Sequence, residues 1–197
     1  MKIDTYLFDI GGVLVDWNPD HLLRSLLPDD EAIRVFRDEA VTHERILKMD
    51  RGQSWAEQLA EIEEAAPHHL DVARMYGERW VETIAAPIQD TVDLMLALKA
   101  EGYPIYALSN YGAENFERSV DVYPFLDAFD GRVVSAYEDV IKPDPAIYDI
   151  VIERFDLTPE TTLFIDDRPE NTDAAAAKGF QVHTFTTPES LRRFLGR

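Results

Sequence analysis

Short apolar segments that lead into polar residues recur along this chain, and stretches with helical spacing separate them. Three of these segments run directly into Asp9, Ser109 and Asp166. Alternating helices and apolar strands predict an α/β fold, in which helices cover both faces of a parallel sheet. The residues that follow the strands of such a sheet meet at one edge, where ligands bind. The sequence therefore predicts a site built from strand ends.

The region from residue 16 to about residue 86 has a different pattern. Its apolar residues recur at helical spacing, no strand is predicted there, and Ser54 with Glu57 forms a capping box that begins one helix. We therefore predict that residues 1–15 and 87–197 form the α/β core and that residues 16–86 form an inserted helical unit.

The acidic composition narrows the range of partners. The chain carries 19 basic and 38 acidic side chains, a formal charge of -19, which disfavours nucleic acid and anionic membranes as partners. It has no cysteine, no apolar run near the ~20 residues of a membrane span and no signal-peptide pattern at its start. These features predict a cytoplasmic protein, and they leave its oligomeric state, monomer or dimer, open.

Polar residues at the predicted sheet edge favour phosphoryl chemistry. Asp9 is a candidate nucleophile, and Gly11 and Gly12 allow the backbone to turn sharply and present N–H groups to a phosphate. Ser109 and the amide of Asn110 are suited to hold phosphate oxygens. An aspartate that attacks phosphorus forms an aspartyl phosphate, which water then hydrolyses.

Lys142 and the pair Asp166 and Asp167 complete this set. Three carboxylates at one edge repel each other unless a cation lies among them, and oxygen ligands favour Mg²⁺ over a transition metal. With Mg²⁺ and the Lys142 ammonium neutralising charge, a dianionic phosphoryl group can approach Asp9. The residues thus predict Mg²⁺-dependent hydrolysis of a small anionic substrate, with Asp9 and Lys142 as catalytic residues.

Four segments resemble the motifs of the haloacid dehalogenase superfamily, and they occur in the family's order with the helical insertion after the first. They are residues 8–13, 108–110, 142–145 and 164–171. The resemblance covers essentially the whole chain and is nearest to small bacterial sugar-phosphate phosphatases. It implies a doubly wound, Rossmann-like sheet of five parallel strands in the order 5-4-1-2-3, with residues 16–86 as a cap domain over the site.

The resemblance also implies a set of metal ligands. Three direct ligands of Mg²⁺ are expected, and two further side chains are expected to support them. The direct ligands are Asp9, the carbonyl of Gly11 and Asp167, and the supporting residues are Asp166 and Asn171.

Gly11 departs from the pattern of most phosphatases in this superfamily. They carry a second aspartate at this place, which acts as general acid and base. A group of that kind contributes about 10²–10⁴-fold to the rate, so Asp16 or a residue of the insertion is expected to supply the proton. The loss matters least for substrates with a good leaving group.

Three alternatives stay open on the sequence. A 2-haloacid dehalogenase would use the same first aspartate, but those enzymes have neutral residues in place of Asp166 and Asp167. A phospho-accepting receiver domain would carry its acidic pair after the first strand, whereas this pair comes late in the chain. A catalytically weak or silent relative that acts as a binding protein would be consistent with Gly11.

Other residues are predicted to have structural or solvent-exposed roles. The side chains of His68 and His69 are expected to point in different directions, which disfavours a metal site. Arg45 and Arg51 are expected either to be solvated or to contact substrate. The tryptophans are expected to pack the insertion, with one of them lining a pocket; they are Trp17, Trp55 and Trp80.

Overall fold

A computed structural model describes residues 2–197, and these residues form seven strands. The strands are β1 (Thr5–Phe8), β2 (Val15–Trp17), β3 (Ile84–Pro87), β4 (Ile105–Ser109), β5 (Gly131–Val134), β6 (Thr162–Asp166) and β7 (Gln181–Thr184). Five of them form one parallel sheet in the order β5-β4-β1-β6-β7. When the core strands alone are numbered along the chain, this order is 3-2-1-4-5. Read from the opposite edge of the sheet it is the predicted order 5-4-1-2-3, which confirms the doubly wound α/β fold.

Ten α-helices and five short 3₁₀ helices accompany these strands in residues 2–197. The α-helices are α1 (Pro19–Leu26), α2 (Asp30–Glu39), α3 (His43–Asp50), α4 (Trp55–Ala65), α5 (Leu70–Glu78), α6 (Gln89–Ala100), α7 (Ala113–Val122), α8 (Pro145–Phe155), α9 (Pro169–Ala177) and α10 (Pro188–Phe194). The 3₁₀ helices are Pro67–His69, Trp80–Thr83, Pro124–Ala128, Ser135–Tyr137 and Pro159–Thr161. Within residues 2–197, no helix combines the length and apolar character that crossing a membrane requires.

Both faces of the sheet are buried, as the apolar strands predict. Successive side chains of β1 point to opposite faces. Tyr6 and Phe8 belong to the larger apolar cluster together with Met95 of α6, whereas Leu7 belongs to the second cluster together with Tyr148 of α8. Helices therefore cover the sheet on each side, and only its edges and strand ends remain for ligands.

Local sequence signals fix several helix starts. Ser54 accepts a hydrogen bond from the backbone of Glu57, whose side chain returns one to the Ser54 backbone, so the predicted capping box is present at α4. Asp144 caps α8, and Pro145 occupies its first turn, where a missing N–H costs nothing.

The expectation that the insertion contains no strand is wrong at its two ends. β2 and β3 pair with each other as an antiparallel ribbon, in which Trp17 pairs with Ile84. These strands have three and four residues and expose Asp16, Ala85 and Ala86, so they are too short and too polar to show a strand pattern in the sequence. Helices α1–α5 lie between β2 and β3 in the chain, so the ribbon forms both connections to the sheet.

Candidate active site

Strand ends of the sheet bring the predicted polar residues together. Asp9 follows β1, Ser109 ends the neighbouring β4, and Asp166 ends β6 on the other side. The Ser109 hydroxyl donates to Asp9 Oδ1 at 2.7 Å. Lys142 Nζ lies 3.0 Å from Asp9 Oδ1 and 2.6 Å from Asp166 Oδ2. The four residues therefore form one connected polar cluster beneath the carboxyl edge of the sheet.

The loop after β1 is a tight turn that closes on itself. The carbonyl of Ile10 accepts hydrogen bonds from the backbone N–H groups of Leu14 and Val15, at 2.9 and 3.1 Å. Gly12 adopts a left-handed conformation, with φ of +71°, and a Cβ atom at this residue would lie 2.6 Å from Asp167 Oδ2. Only glycine therefore fits here without displacing Asp167, because L side chains disfavour this conformation and the space is taken.

Gly12→Ala is expected to lower the free energy of unfolding by about 1–3 kcal/mol, the usual cost of a strained backbone conformation. Gly11→Ala is the matched control, since a Cβ atom at Gly11 meets nothing within 4 Å and its φ is not positive. Urea denaturation of both variants measures the difference. Equal stability of the two variants would show that the left-handed turn is not required.

Lys142 is fully buried between carboxylates. Besides Asp9 and Asp166, its ammonium contacts the carbonyl of Leu108 at 2.9 Å. Burial alone would lower the pKa of Lys142, but Asp166 and Asp9 outweigh it and hold the pKa above its ordinary value. The ammonium therefore stays charged at neutral pH, as a residue that neutralises an anion must.

Asn110 holds the loop that carries this lysine. Its Nδ2 donates to the carbonyl of Lys142 at 3.0 Å, and its Oδ1 accepts from the Lys142 backbone N–H at 2.7 Å. Both polar ends of the side chain are thus engaged by backbone groups. In this structure the Asn110 amide positions Lys142, and its direct contact with phosphate stays a prediction.

Asp166 and Asn171 form a supporting layer behind the cluster. Asn171 Nδ2 donates to both carboxylate oxygens of Asp166, at 3.0 and 3.1 Å, and the backbone N–H of Arg168 donates to Oδ1 at 2.9 Å. Burial alone would raise the pKa of Asp166, but Lys142 and these donors hold the pKa below its ordinary value. Asp166 is therefore a fixed anion that orients the lysine and the loop after β6.

The cluster holds more negative than positive charge. Asp9, Asp166 and Asp167 each offer an oxygen, and these oxygens lie within 4.8 Å of one another, while Lys142 is the ammonium at their centre. Burial raises the pKa of Asp9, with Lys142 opposing this rise, and burial followed by the charge of Asp166 raises the pKa of Asp167. An all-oxygen donor set with excess negative charge suits a hard divalent cation such as Mg²⁺.

A cavity of about 470 Å³ opens above these residues. Asp9, Ser109, Lys142 and Asp167 line its base. Side chains of the inserted region form much of the remaining wall, and most of them are apolar. They include all three tryptophans, Trp17, Trp55 and Trp80, together with Val41, Met49 and Tyr76.

Several cavity residues were not anticipated from sequence. Asp50 lines the cavity as the last residue of α3, and the residues Asp50, Arg51 and Gly52 are typical of a turn rather than of a site. Arg37, His43 and Arg168 also line it. Arg168 precedes α9 and is adjacent to the predicted Asp167. Acids and bases on an amphipathic helix resemble ordinary surface residues, so no local signal distinguishes Arg37, His43 and Asp50. Their role depends on how the insertion is placed over the sheet.

The side chain of Arg45 forms hydrogen bonds within the insertion. Its guanidinium donates to the backbone carbonyls of Glu39 and Ala40, at 2.7 and 3.1 Å. Neither Arg45 nor Arg51 is among the residues that line the cavity. The positions of Arg45 and Arg51 therefore do not support the expected alternative that they contact substrate.

The prediction that His68 and His69 point in different directions is wrong. The Nε2 atoms of the two rings lie 3.0 and 3.3 Å from Glu39 Oε2, and the ring centroids are 4.1 Å apart. The pair lies in a 3₁₀ helix rather than an α-helix, and Glu39 at the end of α2 offers one acceptor that both rings can reach. These histidines do not line the cavity.

Known proteins with similar sequences include phosphatases and dehalogenases. The sesquiterpene phosphatase astK of Aspergillus oryzae is 28% identical over 204 residues, which covers 96% of this chain and 95% of that protein. An (S)-2-haloacid dehalogenase of Pseudomonas fluorescens is 31% identical over 96 residues, which covers 49% of this chain and 42% of the dehalogenase. The similarity to the phosphatase thus spans the whole chain, whereas the similarity to the dehalogenase spans half of it.

The fold has close counterparts among solved structures. A HAD family enzyme from Bacteroides thetaiotaomicron, in complex with magnesium and inorganic phosphate, superimposes with a TM-score of 0.72 and is 23% identical, covering 94% of this chain and 95% of that one. Residues 3–180 match the profile of the haloacid dehalogenase-like hydrolases. The sequence motifs, the sheet order and this match lead to one conclusion: the chain belongs to the haloacid dehalogenase-like hydrolase family.

Proposed function

We propose that this hydrolase is a Mg²⁺-dependent phosphatase that acts on a small phosphorylated metabolite through an aspartyl phosphate on Asp9. The observation that carries the proposal is the cluster at the cavity base, where Ser109 and Lys142 hold Asp9 beside the pair Asp166 and Asp167. The full-length similarity to a phosphatase supports the same reaction type.

The chain's own residues orient the nucleophile. Asp9 Oδ1 accepts from its neighbour's backbone N–H at 2.7 Å, from Ser109 Oγ at 2.7 Å, and it lies 3.0 Å from Lys142 Nζ. Because these donors all meet Oδ1, we assign Oδ2 as the oxygen that attacks phosphorus. Lys142 neutralises charge on both Asp9 and the incoming phosphoryl group, which lowers the barrier to approach.

The acidic set fits the metal that the family resemblance implies. Asp9, the carbonyl of Gly11 and Asp167 would hold Mg²⁺, with Asp166 and Asn171 orienting them. When bound, Mg²⁺ would supply the positive charge that an anionic substrate needs beside these carboxylates. The predicted phosphate contact of the Gly12 N–H is not supported, because this group donates to the carbonyl of Val15 at 2.9 Å. From this turn we therefore propose the backbone N–H of Gly11 as the donor to phosphoryl oxygens.

The inserted helices form the proposed cap domain, residues 16–86, and their cavity wall bears on the substrate class. Several polar groups in the wall already have protein partners. Trp55 Nε1 donates to Asn115 Oδ1 at 2.8 Å, and Arg37 pairs with Asp20 at 3.1 Å. Since much of the remaining wall is aromatic or aliphatic, we propose that the leaving group has a hydrophobic organic part. This differs from the sugar phosphate that the motif resemblance suggests.

A phosphate-release panel tests the proposed function. We expect release from aryl and isoprenyl monophosphates in Mg²⁺, weaker release from sugar and nucleotide monophosphates, and loss of release in EDTA that added Mg²⁺ restores. Phosphate release that is indifferent to EDTA would contradict the metal requirement. Preference for sugar phosphates would contradict the substrate class while leaving the mechanism intact.

A dehalogenase is the second candidate, because half of the chain is similar to one. Asp166 and Asp167 disfavour it, since in the absence of metal the excess negative charge of the acidic cluster would repel the carboxylate of a haloacid. We expect no chloride release from 2-chloropropionate in the absence of metal. Chloride release under those conditions, without phosphatase activity, would reverse the order of the two candidates.

A further inference from the structure

The cavity lacks a carboxylate at Gly11, where most phosphatases of this superfamily carry their general acid. Of the cavity residues outside the acidic cluster, Arg37 and Arg168 are poor proton donors, since the guanidinium group is not deprotonated in proteins. Burial raises the pKa values of Tyr76 and Tyr111 above their ordinary range. The remaining acidic or basic side chains that line the cavity outside the cluster belong to two residues of α3.

These two residues, His43 and Asp50, occupy opposite ends of α3. They are separated by seven residues, which is about 10 Å along a helix axis at 1.5 Å per residue. His43 is exposed at the start of the helix, whereas Asp50 is only partly exposed at its end. They therefore line different parts of the cavity, and the end with Asp50 is held against the core.

Two contacts hold the end of α3 against the core loops. The carbonyl of Asp50 accepts from Ser135 Oγ at 2.6 Å, and the same Oγ accepts from the backbone N–H of Tyr111 at 3.0 Å. Gly52, with φ of +101°, approaches so closely that a Cβ atom there would lie 2.7 Å from the carbonyl of Ala136. These loops follow β4 and β5, so Asp50 is fixed beside the strand end that carries Ser109.

We propose that Asp50 is the general acid and base of the reaction, and that it takes the place of the carboxylate missing at Gly11. The inference rests on the proposed phosphatase function. It assigns to one residue of the insertion a chemical step that the residues of the sheet edge do not supply.

The electrostatic surroundings of Asp50 support this role. Burial raises the pKa of its carboxyl group to about 7, while the charges of Lys142 and Arg51 oppose this rise. At neutral pH the protonated and ionised forms are then both populated, which is what an acid that later acts as a base requires.

The proton balance runs through two steps. As Asp9 forms a bond to phosphorus, the bond to the leaving oxygen breaks, its electron pair stays on that oxygen, and the oxygen takes the proton of Asp50. Alcohol, aspartyl phosphate and an ionised Asp50 result. Asp50 then accepts a proton from water as the water oxygen attacks phosphorus, and the electron pair of the broken bond returns to Asp9. Phosphate leaves, and both side chains are restored.

Substrates with different leaving groups test the inference. We expect Asp50→Asn to lower kcat/KM for phenyl phosphate by about 10²-fold or more. For p-nitrophenyl phosphate, whose leaving group needs no proton, we expect a change of less than about threefold. The ratio kcat/KM covers only the steps through formation of the aspartyl phosphate, so it isolates the acid role. Loss of the base role should appear as a burst of nitrophenol release followed by slow turnover.

Glu44→Gln is the matched control, because it removes an exposed carboxylate from the same helix. It should leave both substrates unaffected. An equal loss on both substrates in Asp50→Asn, or no loss on either, would overturn the inference. Asp50→Ala is the second variant should the asparagine variant prove unstable, with the same expected difference between substrates.

Rescue at Gly11 separates proton transfer from a structural effect. A Cβ atom at Gly11 would meet nothing within 4 Å, and the φ angle of this residue is not positive. The cavity wall can therefore accommodate the side chain of Gly11→Asp. We expect Gly11→Asp combined with Asp50→Asn to recover activity on phenyl phosphate, and Gly11→Ala in the same background not to recover it. Equal activity of the two double variants would count against a proton-transfer role. Loss of all phosphate release by the parent protein would instead refute the proposed function.

Discussion

Asp9→Asn is expected to lower phosphate release by at least about 10³-fold, since removing a nucleophile leaves only the contributions of binding and electrostatics. The amide retains an oxygen that can accept from Ser109, Lys142 and the neighbouring backbone N–H, so the geometry of the cluster is preserved. Single-turnover assays with p-nitrophenyl phosphate measure the effect, and acid quenching shows whether phosphorylated protein forms. Activity equal to that of the unchanged protein would exclude Asp9 as the nucleophile.

The same variant has a pH-dependent stability that distinguishes lost chemistry from lost folding. Burial raises the pKa of Asp9 to about 7 in the folded protein, compared with about 3.9 in an unfolded chain. Folding therefore favours the protonated form, and ionisation reduces stability as the pH rises between those two values. Asparagine has no such ionisation. In EDTA, the melting temperature of Asp9→Asn relative to the unchanged protein should rise from pH 4 to pH 7.

Lys142→Met is expected to remove activity and to lower the free energy of unfolding by about 3–5 kcal/mol, because it leaves buried carboxylates without their partner. The side chain of Lys142 is 0% exposed, and the carboxylate of Asp166 beside it is equally inaccessible. Methionine has a similar volume and no charge, so the loss reports electrostatics rather than a cavity. Urea denaturation measures the stability, and phosphate release measures the activity.

Lys178→Met provides the matched control. Lys178 pairs with Asp149 at 2.6 Å, as close as Lys142 is to Asp166, but this pair is partly exposed. Surface pairs contribute about 0–1 kcal/mol, so this variant should lose little stability and no activity. Similar losses in the two variants would show that the buried cluster has no special stabilising role.

The sheet and the residues at its edge could be predicted because each depends on a short stretch of sequence. Apolar runs mark the strands, and the rule that parallel strands share one ligand-binding edge brings Asp9, Ser109 and Asp166 together before any contact is known. The capping box at Ser54 is local in the same sense, since its hydrogen bonds join residues three positions apart. Neither feature depends on how distant helices pack.

The insertion was harder to predict because its features depend on contacts between distant segments. The strands β2 and β3 are defined by their pairing with each other, which neither segment shows in its own sequence. Asp50 becomes a cavity residue only when α3 packs against the loops after β4 and β5. His68 and His69 face the same way because of Glu39, which lies about thirty positions earlier in the chain. Sequence periodicity carries no information about such pairings.

The ribbon also couples the insertion to the chemistry. Val15 begins β2, its carbonyl accepts from the backbone N–H of Gly12 at 2.9 Å, and the carbonyl of Leu14 accepts from the backbone N–H of Ile88, the residue after β3, at 2.8 Å. Any movement of the proposed cap about this ribbon would therefore pull on the turn that follows Asp9. We accordingly expect opening of the cap to disturb the loop of the proposed nucleophile, so that the reactive geometry is complete only with the cap closed.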